Sequence, residues 1–100
     1  MKLVYSAEAD TNLDEILDYG VENWGVERAI AYLELLQDEI LVLIDHPELG
    51  KKYQSDFVLL SESLRALDID NYKIIYRLND EIIEIISILP KGRPLLLGKT

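Results

Sequence analysis

The chain has 100 residues, 49% of them apolar, with no cysteine and a formal net charge of −9. That length suits one domain with a single core; mean hydropathy of +0.04 argues for a soluble globular protein and against disorder. The missing thiols exclude a disulfide framework and thiolate chemistry. The longest apolar run is far too short to span a bilayer, and Met1-Lys2 leads directly into strand-like sequence without a signal peptide, so a cytoplasmic location is expected.

The charge is unevenly placed. Residues 1–50 carry Lys2 and Arg28 against twelve acids, a balance of −10, whereas residues 51–100 carry eight bases and seven acids, a balance of +1. An acidic amino-terminal half argues against direct nucleic-acid binding, which rests mainly on neutralised phosphates, and favours a basic protein partner.

In chain order, Lys2 to Tyr5 reads as an edge strand over 2–5. Ser6 offers an N-cap, with Glu8 and Asp10 where the helix dipole favours negative charge. Ala9, Leu13, Ile16, Leu17 and Gly20 recur at helical spacing while Asp14, Glu15, Asp18 and Glu22 point away, predicting a helix from Ala7 to Asn23 that stops at Trp24-Gly25. A second helix is expected from Val26 to Asp45 or His46, ended by Pro47. Its stripe is Ala29, Leu33, Leu36, Ile40 and Leu43, and Ile30, Leu35, Leu41, Val42 and Ile44 add more apolar surface than one buried face requires. The helical hairpin thus covers 7–46. Residues 47–63 read as loop, with Phe57 to Leu60 a short strand or an apolar flap.

Leu64 to Leu89 organises the rest. Three apolar runs are separated by Asp70-Asn71 and Asn79-Asp80, pairs that tolerate left-handed backbone and can reverse the chain. The expected object is a three-stranded antiparallel meander over 64–89. Tyr72, Ile74, Tyr76 and Leu78 fall on one face of its middle strand, and Lys73, Ile75 and Arg77 on the other. The third run, Ile82 to Leu89, is apolar on both faces apart from Glu84 and Ser87, as suits a strand inside a sheet. The tail, 90–100, holds two prolines and two glycines, the bases Lys91, Arg93 and Lys99, and an apolar triplet Leu95, Leu96 and Leu97. Asp14, Asp18, Glu22 and that triplet are the candidate partner-binding residues. No cofactor or metal is called for: carboxylate pairs such as Asp14-Glu15 and Asp38-Glu39 diverge around a helix. His46 reads as a helix C-terminal residue, Trp24 as packing at the hairpin corner, and Tyr72 and Tyr76 as core.

These segments together resemble the ParE/RelE superfamily of toxin–antitoxin toxins, the plasmid stabilisation proteins of the ParE branch. The resemblance spans residues 3 to 93. It is carried by Glu15-Ile16-Leu17-Asp18-Tyr19 followed by Glu22, Trp24-Gly25, Ala29 and Tyr32-Leu33, then Pro47-Glu48-Leu49-Gly50 and the pair Leu64-Arg65 and Tyr76-Arg77. It implies one α+β domain of order β-α-α-β-β-β, a helical hairpin packed on a mostly antiparallel sheet. It also implies a toxin that binds and poisons DNA gyrase, without catalysis of its own, and is neutralised by a cognate antitoxin that wraps around it.

RelE-like members instead cleave messenger RNA on the ribosome, using bases that hold the phosphate and usually a carboxyl-terminal Tyr or His. Here Lys73, Arg77, Lys91 and Arg93 stand at matching places, but the last tyrosine is Tyr76 and the sole histidine is His46. A charge of −9 also suits a ribosomal site poorly. Arg65, Lys73, Arg77, Lys91 and Arg93 are the candidate target-binding residues; the alternative is that they pair with Asp68, Asp70 and Glu84 across the sheet. Ser87, Pro90 and Pro94 stand where the ParE branch often has Arg, His and Asp, with Arg93 alone in register. Three readings follow: gyrase-binding toxin, ribosome-dependent endoribonuclease, or a relative that only binds antitoxin.

Overall fold

The structure is a computed structural model and describes residues 1–53 and 63–92. Its elements are β1 (Lys2–Tyr5), α1 (Ala7–Trp24), α2 (Val26–Ile40), α3 (Val42–Asp45), β2 (Lys51–Lys52), β3 (Leu64–Ile69), β4 (Tyr72–Asn79) and β5 (Ile82–Pro90). The strands make one sheet of order β1-β5-β4-β3-β2. The β1–β5 pair is parallel and the other three are antiparallel, so the α+β fold with a helical hairpin on a mostly antiparallel sheet is the one observed.

Helix α1 begins as its sequence dictates. Ser6 is extended and its Oγ accepts the Ala9 N–H at 3.0 Å, satisfying one of the orphan donors of the first turn. The helix ends at Gly25, φ 91°, whose N–H returns to the Val21 carbonyl at 3.1 Å. α2 then doubles back, and the two helices meet where Gly20 faces Ala29. A Cβ on Gly20 would sit 2.9 Å from the Ala29 Cβ, so glycine sets the closeness of the hairpin.

The second helix differs from expectation. It is interrupted at Leu41, where Ile44 N–H reaches back only three residues to the Leu41 carbonyl at 3.0 Å. A tightened turn near a helix C-terminus is a common way to end; this one leaves Leu43 fully buried while Leu41 and Val42 stay exposed. The apolar stripe runs through the break without a Gly or Pro to announce it.

The meander closes through two tight turns. Ile69 pairs with Tyr72 around Asp70-Asn71, and Asn79 pairs with Ile82 around Asp80-Glu81, so the second turn lies one residue later than expected. In each turn the left-handed residue is an aspartate, Asp70 at φ 53° and Asp80 at φ 55°, a role its short polar side chain tolerates. β5 carries a bulge: Ile75 faces Ser87 and Tyr76 faces Ile85, leaving Ile86 as the extra residue. Ile85 and Ile88 therefore join the core under the helices, with Leu13, Ile16, Leu36, Ile40, Ile74 and Tyr76. Ile86 packs toward a smaller cluster of Leu64, Ile75 and Leu89. Among the described residues no helix is long and apolar enough to cross a membrane.

Candidate functional site

The central strand carries a pin. Tyr76 is fully buried, and its hydroxyl donates to the Pro47 carbonyl and accepts the Gly50 N–H, both at 2.8 Å. Gly50 lies so close that a Cβ there would meet the tyrosine ring at 2.7 Å and the Ala66 carbonyl at 2.8 Å. Arg65 completes the arrangement by donating to the Gly50 carbonyl at 2.7 Å. Burial pushes the Tyr76 phenol above its ordinary value, and the Gly50 N–H opposes part of that rise. A hydroxyl so engaged holds the Pro47–Gly50 turn against the sheet.

The candidate target-binding bases do not form one face. Residues directly opposite on paired strands share a face, and Arg65 is opposite Tyr76, whereas Leu64 is opposite Arg77 and Asp68 opposite Lys73. Arg65 therefore serves the turn, while Lys73 and Arg77 project on the side away from the helices. Lys73 bonds Asp68 at 2.8 Å, and Arg77 bonds Glu84 at 2.6 Å across the neighbouring strand. The Lys73 hydrogen bond holds the Asp68 carboxyl below its ordinary range, assisted by the charges of Lys91 and Lys51. Lys51, Lys73 and Lys91 thus share one electrostatic neighbourhood. Cross-strand pairing with Asp68 and Glu84 is observed; Asp70 instead accepts the Tyr32 hydroxyl at 2.6 Å. Arg93 lies outside the described residues, as do Pro94, Lys99 and the segment Phe57 to Leu60.

On the opposite side, Asp14, Asp18 and Glu22 are exposed along α1. Ile30, Leu35, Leu41 and Val42 are exposed on the second helix and the turn after it, at 46%, 56%, 47% and 37%, so much of that apolar surplus is not spent on the intramolecular core. The remaining candidate partner residues, Leu95, Leu96 and Leu97, lie outside the described residues. His46 is the exposed C-cap of α3.

Two features were not foreseen. The first is a chain of rings: Tyr19, Trp24, Tyr32 and Tyr72, with successive centroids 6.1, 5.4 and 6.4 Å apart. Trp24 does sit at the hairpin corner, but 40% exposed, and Tyr72 is half-buried where core was expected. Burial raises the Tyr32 phenol, and the Asp70 carboxylate raises it further. Beside these rings, α1 and the adjoining ends of β4 and β5 enclose a cleft of about 450 Å³ lined by Asn12, Glu15, Ile16, Tyr19, Asn71, Tyr72, Ile88, Leu89 and Pro90. The second is the seating of Ser87. It is fully buried and donates to the Glu8 carboxylate of α1, so the position where the resembling family often has Arg is here occupied by a short hydroxyl tucked against the helix.

Residues 3–95 match the family described as the ParE toxin of the type II toxin–antitoxin system parDE. A curated relative, Toxin ParE1 of Caulobacter vibrioides, is 31% identical over 84 residues, covering 84% of this chain and 82% of the relative. A solved structure described as the chromosomal ParDE toxin–antitoxin system from P. aeruginosa superposes with a TM-score of 0.75 at 22% identity, covering 90% of this chain and 95% of that one, and shares the fold. The chain belongs to the ParE family of type II toxin–antitoxin toxins.

Proposed function

We propose that this ParE-type toxin acts by binding DNA gyrase, and that its cognate antitoxin neutralises it by covering the helical hairpin. The observation that favours binding over phosphodiester chemistry is the Tyr76 pin. The last tyrosine of the chain, on the central strand and not in the carboxyl-terminal segment where RelE-like nucleases carry their titrating group, has its hydroxyl committed to Pro47 and Gly50, with its phenol raised by burial. A general acid must reach the atom it protonates, and this hydroxyl faces the chain's own backbone. Lys73, Arg77, Lys91 and Arg93 form the proposed target contact, Lys73 and Arg77 presented by strands whose acids already orient them. The exposed acids of α1 and the exposed apolar residues from Ile30 to Val42 form the proposed antitoxin contact.

The test combines two assays on the purified chain, each with and without antitoxin. The expected result is loss of gyrase supercoiling, restored by antitoxin, with messenger RNA left intact on translating ribosomes. Codon-specific cleavage that disappears in Arg77→Ala would overturn the proposal in favour of a ribonuclease. Antitoxin binding with neither effect would leave a relative that only binds antitoxin.

A further inference from the structure

The cleft beside α1 has a chemical character of its own. Its volume lies in the range of specific ligand sites, about 300–1,000 Å³, larger than one side chain needs. Ile16, Ile88 and Pro90 contribute carbon surface, while Tyr19 and Tyr72 contribute two rings of the aromatic chain. Tyr19 is 58% exposed, with one edge propped by Trp24. Among the described residues, Glu15 is the charged residue of the lining and no Lys or Arg takes part. Its hydrogen bond comes from the neighbouring Asn12 amide at a long 3.4 Å, which leaves the carboxylate much of its accepting capacity. Asp70, next to Asn71 in the chain and outside the lining, accepts the Tyr32 hydroxyl, and its charge acts on the Tyr72 phenol. Lys91 follows Pro90, but its charge acts on Asp68, on the helix-free face of the sheet.

Ring faces beside a carboxylate attract a cation, since the negative face of each ring adds to the carboxylate field. A guanidinium suits such a wall better than an ammonium. It is planar, stacks on rings and is more weakly hydrated, and its stem covers apolar neighbours. We propose that this cleft is an anchor site for a basic, apolar segment of the antitoxin, with one arginine seated against Tyr19 and Tyr72 and paired to Glu15. The occupant follows from charge complementarity: the half of the chain that supplies α1 carries −10, so a basic segment is drawn to this flank and an acidic one repelled. The choice of antitoxin as the source rests on the function proposed above.

The full-length chain is titrated with two probes, acetyl-Leu-Arg-Leu-Leu-amide and its norleucine counterpart, while the backbone amide signals of Glu15, Tyr19, Tyr72 and Ile88 are followed. The arginine probe shifts these signals and binds about tenfold tighter than the norleucine probe. Glu15→Gln and Tyr19→Ala remove most of that preference, and Tyr19→Phe, which keeps the ring, retains it. Both sites are exposed, and a thermal melt checks that each variant folds. Equal binding of the two probes, or no shift at these residues, overturns the proposal. A parallel measurement uses purified antitoxin. If it binds the unmodified chain but Glu15→Gln and Tyr19→Ala bind it equally well, the anchor site is refuted and the toxin–antitoxin reading stands. If antitoxin fails to bind the unmodified chain, that reading falls, while the probe titration still judges the cation site.

Discussion

The Asn12 side-chain oxygen accepts the backbone N–H of Ile88 at 2.9 Å, tying the second turn of α1 to the far half of β5. β1 pairs only with residues 82–85, so among the described residues no strand lies beside the rim of β5 beyond Ile85. Helix α1 takes over that rim: Ser6 N–H bonds the Ile85 carbonyl at 2.9 Å, Ser6 Oγ the Ile86 carbonyl at 2.7 Å, and Glu8 receives Ser87. Covering an open edge with a helix is one way a protein avoids edge-to-edge aggregation.

Asn12→Ala should strip the acceptor from Ile88 and leave a part-buried N–H unpaired. A loss of about 1–3 kcal/mol is expected, read from urea melts together with faster amide exchange at Ile88. Unchanged exchange at that amide would show that the rim is held without Asn12.

Leu36 is only 2% exposed and packs with Leu13, Ile16 and Ile40. Leu36→Ala should cost about 2–5 kcal/mol through lost burial and a residual cavity. A loss below about half a kcal/mol in urea would contradict that packing, being the size of an ordinary surface change.

Tyr76→Phe removes the hydroxyl and leaves the Gly50 N–H and Pro47 carbonyl without it. Stability should fall by about 1–3 kcal/mol, with faster exchange at the Gly50 amide. If gyrase inhibition survives in the folded variant, the hydroxyl has no part in toxicity, as the binding reading requires.

Alkaline pH offers a global test. Tyr5, Tyr32, Tyr72 and Tyr76 all have phenols raised above the ordinary value of 10.0, chiefly by burial. A group whose folded value is raised contributes stability that is complete below the unfolded value and lost as pH rises through the folded one. The native chain should therefore show less phenolate absorbance near pH 10 than its six tyrosines would give unfolded, and the remainder should appear together with unfolding. Full absorbance at that pH while the fold persists would contradict the burial of these rings.

Asp14, Asp18 and Glu22 form an exposed acidic row on α1. Replacing them with their amides should slow antitoxin association at low salt by about tenfold or less, with little change in dissociation. An unchanged association rate would mark the row as solvated surface.

Much of the fold is written locally. Ser6 and Gly25 bracket α1 because capping depends on adjacent residues, and the aspartate turns follow for the same reason. The break at Leu41, the bulge at Ile86 and the one-residue displacement to Asp80-Glu81 carry no local mark, since each is settled by packing and strand register. The candidate site was less legible. Arg65 and Arg77 look alike in the sequence, yet their positions on adjacent strands send them to opposite faces. Glu15, Tyr19 and Tyr72 form a cleft only because α1 lies beside the ends of β4 and β5, although exposed aromatics spaced along a helix, Tyr19 and Trp24, were a signal that could have been weighed.

The parallel pairing of β1 with β5 sets an order in time. Lys2 meets Ile82, so the first strand synthesised has to wait for nearly the last before it finds its neighbour. Contacts at such separation close late in folding. On a translating ribosome, where domains assemble as their parts emerge, the outer acidic row needs only its own helix, whereas the complete sheet requires residue 85 to be free. With the antitoxin contact proposed above, an antitoxin already present would meet the acidic row of a newborn toxin before any surface that depends on the finished sheet exists.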